Sequence, residues 1–160
     1  MTWNVPLVVA TCVFFAFMLW RLRPAMGGTG GGGMAAALRA AKQRVEAAKT
    51  DEERAIALCD AGDAAAVGLT GSESAIGYYL RAMRASPHSA DLVARSAKGL
   101  ARRPRALESL LWRRLGAEPW SGGGEAAARA ALDELGRLYG GPLRNAVKAR
   151  AMENAKALLA

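Results

Sequence analysis

Histidine and cysteine are almost absent from these 160 residues: His88 stands alone, and Cys12 and Cys59 are the only thiols. Neither a disulfide framework nor a four-ligand zinc site can be assembled from that set. The one thiol beyond the N-terminal region fits a reducing compartment. Val, Ile and Phe are scarce after residue 24, which argues against a sheet, because strands draw on β-branched and aromatic residues. Acids are in deficit too, 14 against 22 Lys and Arg, for a net charge of +8. What is abundant is alanine, and an alanine-rich chain reads as helices brought close through small side chains. The expected fold class is all-α, with no cofactor and no metal.

There is one long apolar run. Val5 to Trp20 carries no charge. As a helix, residues 3–20 cover about 27 Å, close to the roughly 30 Å hydrocarbon core of a bilayer. Trp3 and Trp20 stand at its ends, where indoles favour the membrane interface. Arg21 and Arg23 stop the run and Pro24 ends any helix. A cleaved secretory signal needs basic residues ahead of its apolar core, and none precede this one. Val9-Ala10-Thr11 before Cys12 has some look of a lipobox, but the apolar stretch continues past it, so Cys12 reads as a membrane-buried thiol. Residues 1–24 are therefore expected to be a membrane anchor, its span about residues 3–20.

Basic residues orient that anchor. Arg21, Arg23, Arg39, Lys42 and Arg44 all precede the first acid, Glu46, and positive charge stays on the cytoplasmic side. The expectation is a single-pass protein of a bacterial inner membrane, with its C-terminal domain cytoplasmic. Residues 25–33 form a Gly-rich flexible linker. Gly28-Thr29-Gly30-Gly31-Gly32-Gly33 matches G-x-G-x-x-G literally, but a dinucleotide fingerprint needs a strand before it and a βαβ unit around it. A membrane span precedes this one.

Residues 34–160 are expected to be an α-helical domain. Met34–Lys49 has helical spacing of Ala37, Leu38, Ala41, Val45 and Ala48. Thr50-Asp51-Glu52-Glu53 is a capping box opening a helix that runs out near Gly68, with Ala55, Ile56, Leu58, Cys59 and Ala66 along it. Ser72 is the expected N-cap of the next helix, to Ala85. Ser89–Ala101 and Pro104–Leu115 follow, the latter with Pro at its first position. Glu125–Tyr139 and Leu143–Leu159 complete the chain. The last helix aligns Leu143, Val147, Ala151, Ala155 and Leu158.

Ala75, Tyr79, Ala82 and Pro87 stand at the small, aromatic, small and proline positions that end a tetratricopeptide repeat (TPR) helix pair. The chain resembles that family over residues 51–119, best over 72–100. Ala106-Leu107 and Leu110-Leu111 echo Ala75-Ile76 and Tyr79-Leu80 about 31 residues on. The early Trp and mid-helix Tyr of the repeat are missing. The resemblance implies a short helical-hairpin solenoid with TPR-like pairs at about 51–86 and 89–119, and a degenerate capping pair at about 123–159. It also implies a concave face that receives a peptide or partner helix.

The chain's positive charge is concentrated. Arg81, Arg84, Arg95, Lys98, Arg102, Arg103, Arg105, Arg113 and Arg114 face only Asp91 and Glu108 in the same stretch. Such a patch suits an acidic protein segment or anionic lipid; a plain solvated surface is the alternative. Nucleic acid fits poorly, because aromatics are not interleaved for stacking. Catalysis finds little to use. His88 lies in a turn, and Asp60 with Asp63 is accounted for by neighbouring Arg54 and solvent. Trp112 and Trp120 can line a groove as interface aromatics do; alternatively Trp112 completes the core of the second pair and Trp120 packs over its end. The function expected is a membrane-tethered helical scaffold for protein partners. The alternative is a structural subunit of a membrane complex that assembles through its helices. No enzyme is expected, and the oligomeric state is left open.

Overall fold

Thr50 shows how local chemistry sets these helices. Its Oγ1 accepts from the Glu53 amide at 3.1 Å, and the Glu53 carboxylate accepts in turn from the Lys49 amide at 2.9 Å, one residue before the amide a standard capping box would use. The computed structural model describes residues 30–67, 71–117 and 123–159. Within them lie α-helices and no strand: α1 (Gly30–Ala47), α2 (Asp51–Val67), α3 (Ser72–Ala85), α4 (Ala90–Gly99), α5 (Pro104–Leu115), α6 (Glu125–Gly140) and α7 (Ala146–Ala157). The chain is all-α over that range. The expected membrane span lies outside the described residues, as does Trp120. Among the described residues no helix is long and apolar enough to cross a membrane.

Three boundaries differ from expectation. α1 begins at Gly30, so four glycines assigned to the linker are helical. Extending an existing helix gains one hydrogen bond per residue fixed, against a glycine penalty of about 1 kcal/mol each relative to Ala. Ser72 is not an N-cap: Gly71 holds that position without a side-chain bond. The last helix starts at Ala146, because Asn145 accepts from the Lys148 amide at 3.0 Å after Arg144 turns the chain with φ 46°.

Residues 34–160 form one compact unit. α2 and α3 make its most intimate hairpin, and α6 with α7 the next. Between them, α4 packs on α2 and α6, while α5 packs on α3 and α6. α4 and α5 are consecutive yet touch one another least. The α2–α3 hairpin closes through small residues: Ala61, Gly62, Ala65, Ala75 and Ala82 are buried, as an alanine-rich composition predicts. Tyr79, Ile76, Val93, Leu100, Leu110, Leu111, Leu135 and Tyr139 fill the space between layers.

On two helices some of the expected apolar residues face outward, while Ala55, Leu58 and Cys59 are buried as expected. Ile56 is 55% exposed, because Ala55, Leu58, Cys59 and Gly62 occupy the inward arc of α2. On α7 the buried residue is Met152, with Ala149 and Ala155 half-buried beside it. Val147 and Leu158 are 82% and 88% exposed. Leu143 and Ala155 of the expected stripe do pack against the core.

Candidate functional site

Helical periodicity places Ile56, Asp60, Asp63 and Val67 in one stripe, at i, i+4, i+7 and i+11, on one face of α2. Asp91, Arg95, Lys98 and Arg102 repeat those intervals on α4 and just beyond its end. α2 and α4 lie side by side with their N-terminal ends together, and a groove runs between the two stripes. One end is a cleft of about 400 Å³ whose walls include Ile56 and Leu92, with Glu52 and Asp91 on its rim. The other is a cleft of about 740 Å³ with Ala66, Val67 and Ala101 as apolar wall and Lys98, Arg102 and Arg103 around it. Val67 is 77% exposed. The groove is thus apolar at both ends, acidic at the first and basic at the second.

Arg95 divides the two clefts. Its Nε and Nη2 donate to Asp63 Oδ2 at 2.9 and 2.7 Å, and Nη2 also donates to Asp60 Oδ1. Arg44 Nη1 reaches Asp60 Oδ2 at 2.5 Å. Tyr79 Oη donates to Asp63 Oδ1 at 2.7 Å. Burial alone would lower the Arg95 pKa, but the two carboxylates outweigh it and hold it above its usual value. Burial, reinforced by the bond to Asp63, raises that of Tyr79. Behind the network, burial pushes the Cys59 thiol up to about 11, so it stays protonated and unreactive near neutrality.

The Tyr79 ring is fitted against glycine. A Cβ on Gly62 would lie 2.7 Å from its Cε1, and one on Gly99 only 2.1 Å from its hydroxyl oxygen. Glycine at these two positions lets α2 and α4 close over the tyrosine from α3. Tyr139 repeats the chemistry in the other half of the domain. Its hydroxyl donates to Glu108 at 2.6 Å and accepts from Trp112 Nε1 at 2.9 Å, and the Lys148 ammonium sits 4.9 Å from its ring centre. Both buried tyrosines therefore end on a carboxylate of a neighbouring helix.

The nine basic residues do not share one surface. Arg95, Lys98, Arg102 and Arg103 border the α2–α4 groove. Arg84, Arg113 and Arg114 border a separate cleft of about 690 Å³ that includes Leu80, Met83 and Pro87. Arg114 is buried there, donating to the Pro87 carbonyl at 2.7 Å and to that of Ala117 at 3.3 Å, and burial lowers its pKa. Arg113 stands 3.8 Å from Glu73, Arg81 stands 6.0 Å from the ring centre of Tyr78, and Arg105 is exposed. Arg95 is thus engaged by two carboxylates and Arg114 by two backbone carbonyls of their own domain. Of the repeat-core residues, Ala75, Tyr79 and Ala82 are fully buried, and Pro87 is half-buried in the α3–α4 turn.

The sequence misplaced two further features. Arg54 pairs with Asp51 at 3.4 Å, not with Asp60 or Asp63, whose cations come from α4 and α1. Trp112 is 44% exposed, its indole nitrogen tied to Tyr139 rather than buried in a core. His88 is exposed in its turn. Among the described residues no group of three His, Cys, Asp or Glu side chains is placed to hold a metal ion. A signal for the Arg95 bridge was present: Asp60 and Asp63 on α2, and Asp91, Arg95 and Lys98 on α4, lie on stripes of matching spacing. No protein-family model matches this chain, and no curated protein or solved structure matches it either.

Proposed function

We propose that this protein is a membrane-tethered, TPR-like helical scaffold that holds a segment of a partner protein in the α2–α4 groove. The observation that carries this reading is the groove's basic end. There Val67 stands in solvent beside Lys98 and Arg102, while the middle of the groove is already neutralised by Arg95, Asp60 and Asp63. Desolvating an apolar anchor next to a positive rim favours a segment that brings an apolar residue and a negative charge together. The tether is supported by the uncharged Val5–Trp20 run and by Arg21 and Arg23 behind it, which also orient the domain toward the cytoplasm.

The test uses the full chain in detergent micelles and a fluorescent peptide with an acidic cluster beside a leucine, read by anisotropy. Exposed charge pairs contribute up to about 1 kcal/mol each, so Lys98→Glu with Arg102→Glu should weaken binding more than about tenfold. Raising salt should weaken it as well, since the Debye length falls to about 3 Å at 1 M. Unchanged affinity in the double variant would refute the groove. For the tether, a C-terminal alkaline phosphatase fusion should be inactive.

A further inference from the structure

The most exposed large apolar residues on α7 repeat the spacing of those on α2. Val147, Ala151, Asn154 and Leu158 fall at i, i+4, i+7 and i+11, the intervals of Ile56, Asp60, Asp63 and Val67. In each stripe the two large apolar residues are eleven positions apart, about 16 Å along a helix. Leu158 lies just past the assigned helix but keeps helical dihedrals, φ −77° and ψ −14°, so it stays on the stripe. The opposite side of α7, through Met152, is committed to its own α6. Among the described residues, nothing of its own chain covers Val147 or Leu158 on this outer face.

Charge gives this stripe a direction. Arg144 and Arg150 flank Val147, while the Leu158 end is charge-balanced: Lys156 pairs with Asp133 and Glu153, and Arg129 donates to the Leu159 carbonyl. The groove is acidic at the Ile56 end, with Glu52 and Asp91, and basic at the Val67 end, with Lys98 and Arg102. With α7 laid parallel to α2 and α4, Arg144 and Arg150 come to Glu52 and Asp91. The charge-balanced Leu158 end then comes to Lys98 and Arg102, and both apolar pairs are covered at once. In the reverse orientation like charges meet.

We infer that the occupant of the α2–α4 groove is the outer face of α7 from a second copy of this chain. The inference rests on the groove being a docking site and names its partner. Because groove and α7 are different surfaces of one molecule, the contact is head-to-tail rather than two-fold, and successive copies close into a ring or extend into a chain. Each α7 stays packed on its own α6 while its outer face is shared.

Complementation between two defective variants tests this on the full chain in detergent micelles, by sedimentation velocity. One variant carries Val147→Asp and Leu158→Asp, breaking the stripe and leaving the groove. The other carries Val67→Asp and Lys98→Glu, breaking the groove and leaving the stripe. All four positions are exposed, so thermal midpoints should match the unaltered chain and separate lost association from unfolding. Each variant alone should associate at least about tenfold more weakly than the unaltered chain. An equimolar mixture should recover association that stops at a dimer, since only one intact contact can form. Self-association of the groove variant at the unaltered strength, with loss only in the α7 variant, would mean α7 pairs with α7 and would overturn the inference. Full association of both variants, or no recovery on mixing, would also overturn it. The acidic peptide assay separates the two levels. If the groove variant loses the peptide while self-association persists, the docking groove stands and the second copy falls. If it keeps the peptide, the groove itself falls.

Discussion

Replacing Gly99 by alanine should destabilise the domain, and removing the Tyr79 hydroxyl should absorb most of that cost. The new methyl group would stand 2.1 Å from the Tyr79 oxygen and 3.1 Å from Asp63 Oδ1. Tyr79 is fully buried, so its ring has nowhere to swing. Overpacking a filled site costs about 1–3 kcal/mol. Displacing the hydroxyl also weakens a hydrogen bond to a carboxylate, worth about 1.5–3 kcal/mol. Alanine returns at most about 1 kcal/mol of helix propensity, and less at Gly99, the last residue of α4. Gly99→Ala should therefore cost about 2–4 kcal/mol.

Tyr79→Phe alone should cost about 2 kcal/mol, because Asp63 loses that donor. In the double variant the oxygen that met the methyl group is gone, so the two effects should not add, and a coupling of about 2 kcal/mol is expected. Gly62→Ala is the control. Its methyl would press on the ring carbons, at 2.7 and 2.8 Å, which phenylalanine retains. Its cost should add to that of Tyr79→Phe within about 0.5 kcal/mol. Urea denaturation followed by far-UV circular dichroism measures the unaltered chain and the five variants. A neutral Gly99→Ala, or equal relief of both alanine variants by Tyr79→Phe, would refute this placement of the tyrosine.

Cys59 gives the domain a pH dependence. Its pKa is raised in the folded state to about 11 from an ordinary value of 9.0, so its contribution is whole below about pH 9. Above that pH the unfolded chain gives up the proton first, and stability falls by up to roughly 3 kcal/mol until about pH 11. Cys59→Ala should flatten that part of the alkaline slope in urea midpoints. The thiol should also resist iodoacetamide at pH 8 until denaturant is added; equal labelling with and without denaturant would contradict its burial. Arg114→Ala should lower the urea midpoint without changing the m-value, by about 2–3 kcal/mol, since it bares the Pro87 and Ala117 carbonyls and leaves a cavity. A midpoint within error of the unaltered chain would show that Arg114 braces nothing.

Helix identity was legible because its signals are local. The bond donated by the Leu92 amide to Ser89 Oγ at 3.4 Å and Pro104 at the first position of α5 each act within one turn. Burial of Ala75, Tyr79 and Ala82 was legible too, because small–aromatic–small spacing suits a closely packed hairpin. By itself, the sequence determined an all-helical domain after residue 34, closed through small side chains, with its punctuation at Thr50, Ser89 and Pro104. What it left open is which side of each helix faces a neighbour.

That choice belongs to tertiary structure. α2 carries apolar residues on more than one side, and Ile56 lost the inward position to Ala55, Leu58 and Cys59 because small residues allow α3 a closer approach. Of the stripe expected along the last helix, Leu143 and Ala155 pack inward while Val147 and Leu158 face outward. The basic stretch separated into two clefts because its members lie on three helices, whose faces diverge, and on the turn between α4 and α5. Arg95 could find Asp60 and Asp63 only once α2 and α4 lay side by side. Charges distant in sequence take their roles from helix rotation and packing order, which no local periodicity specifies.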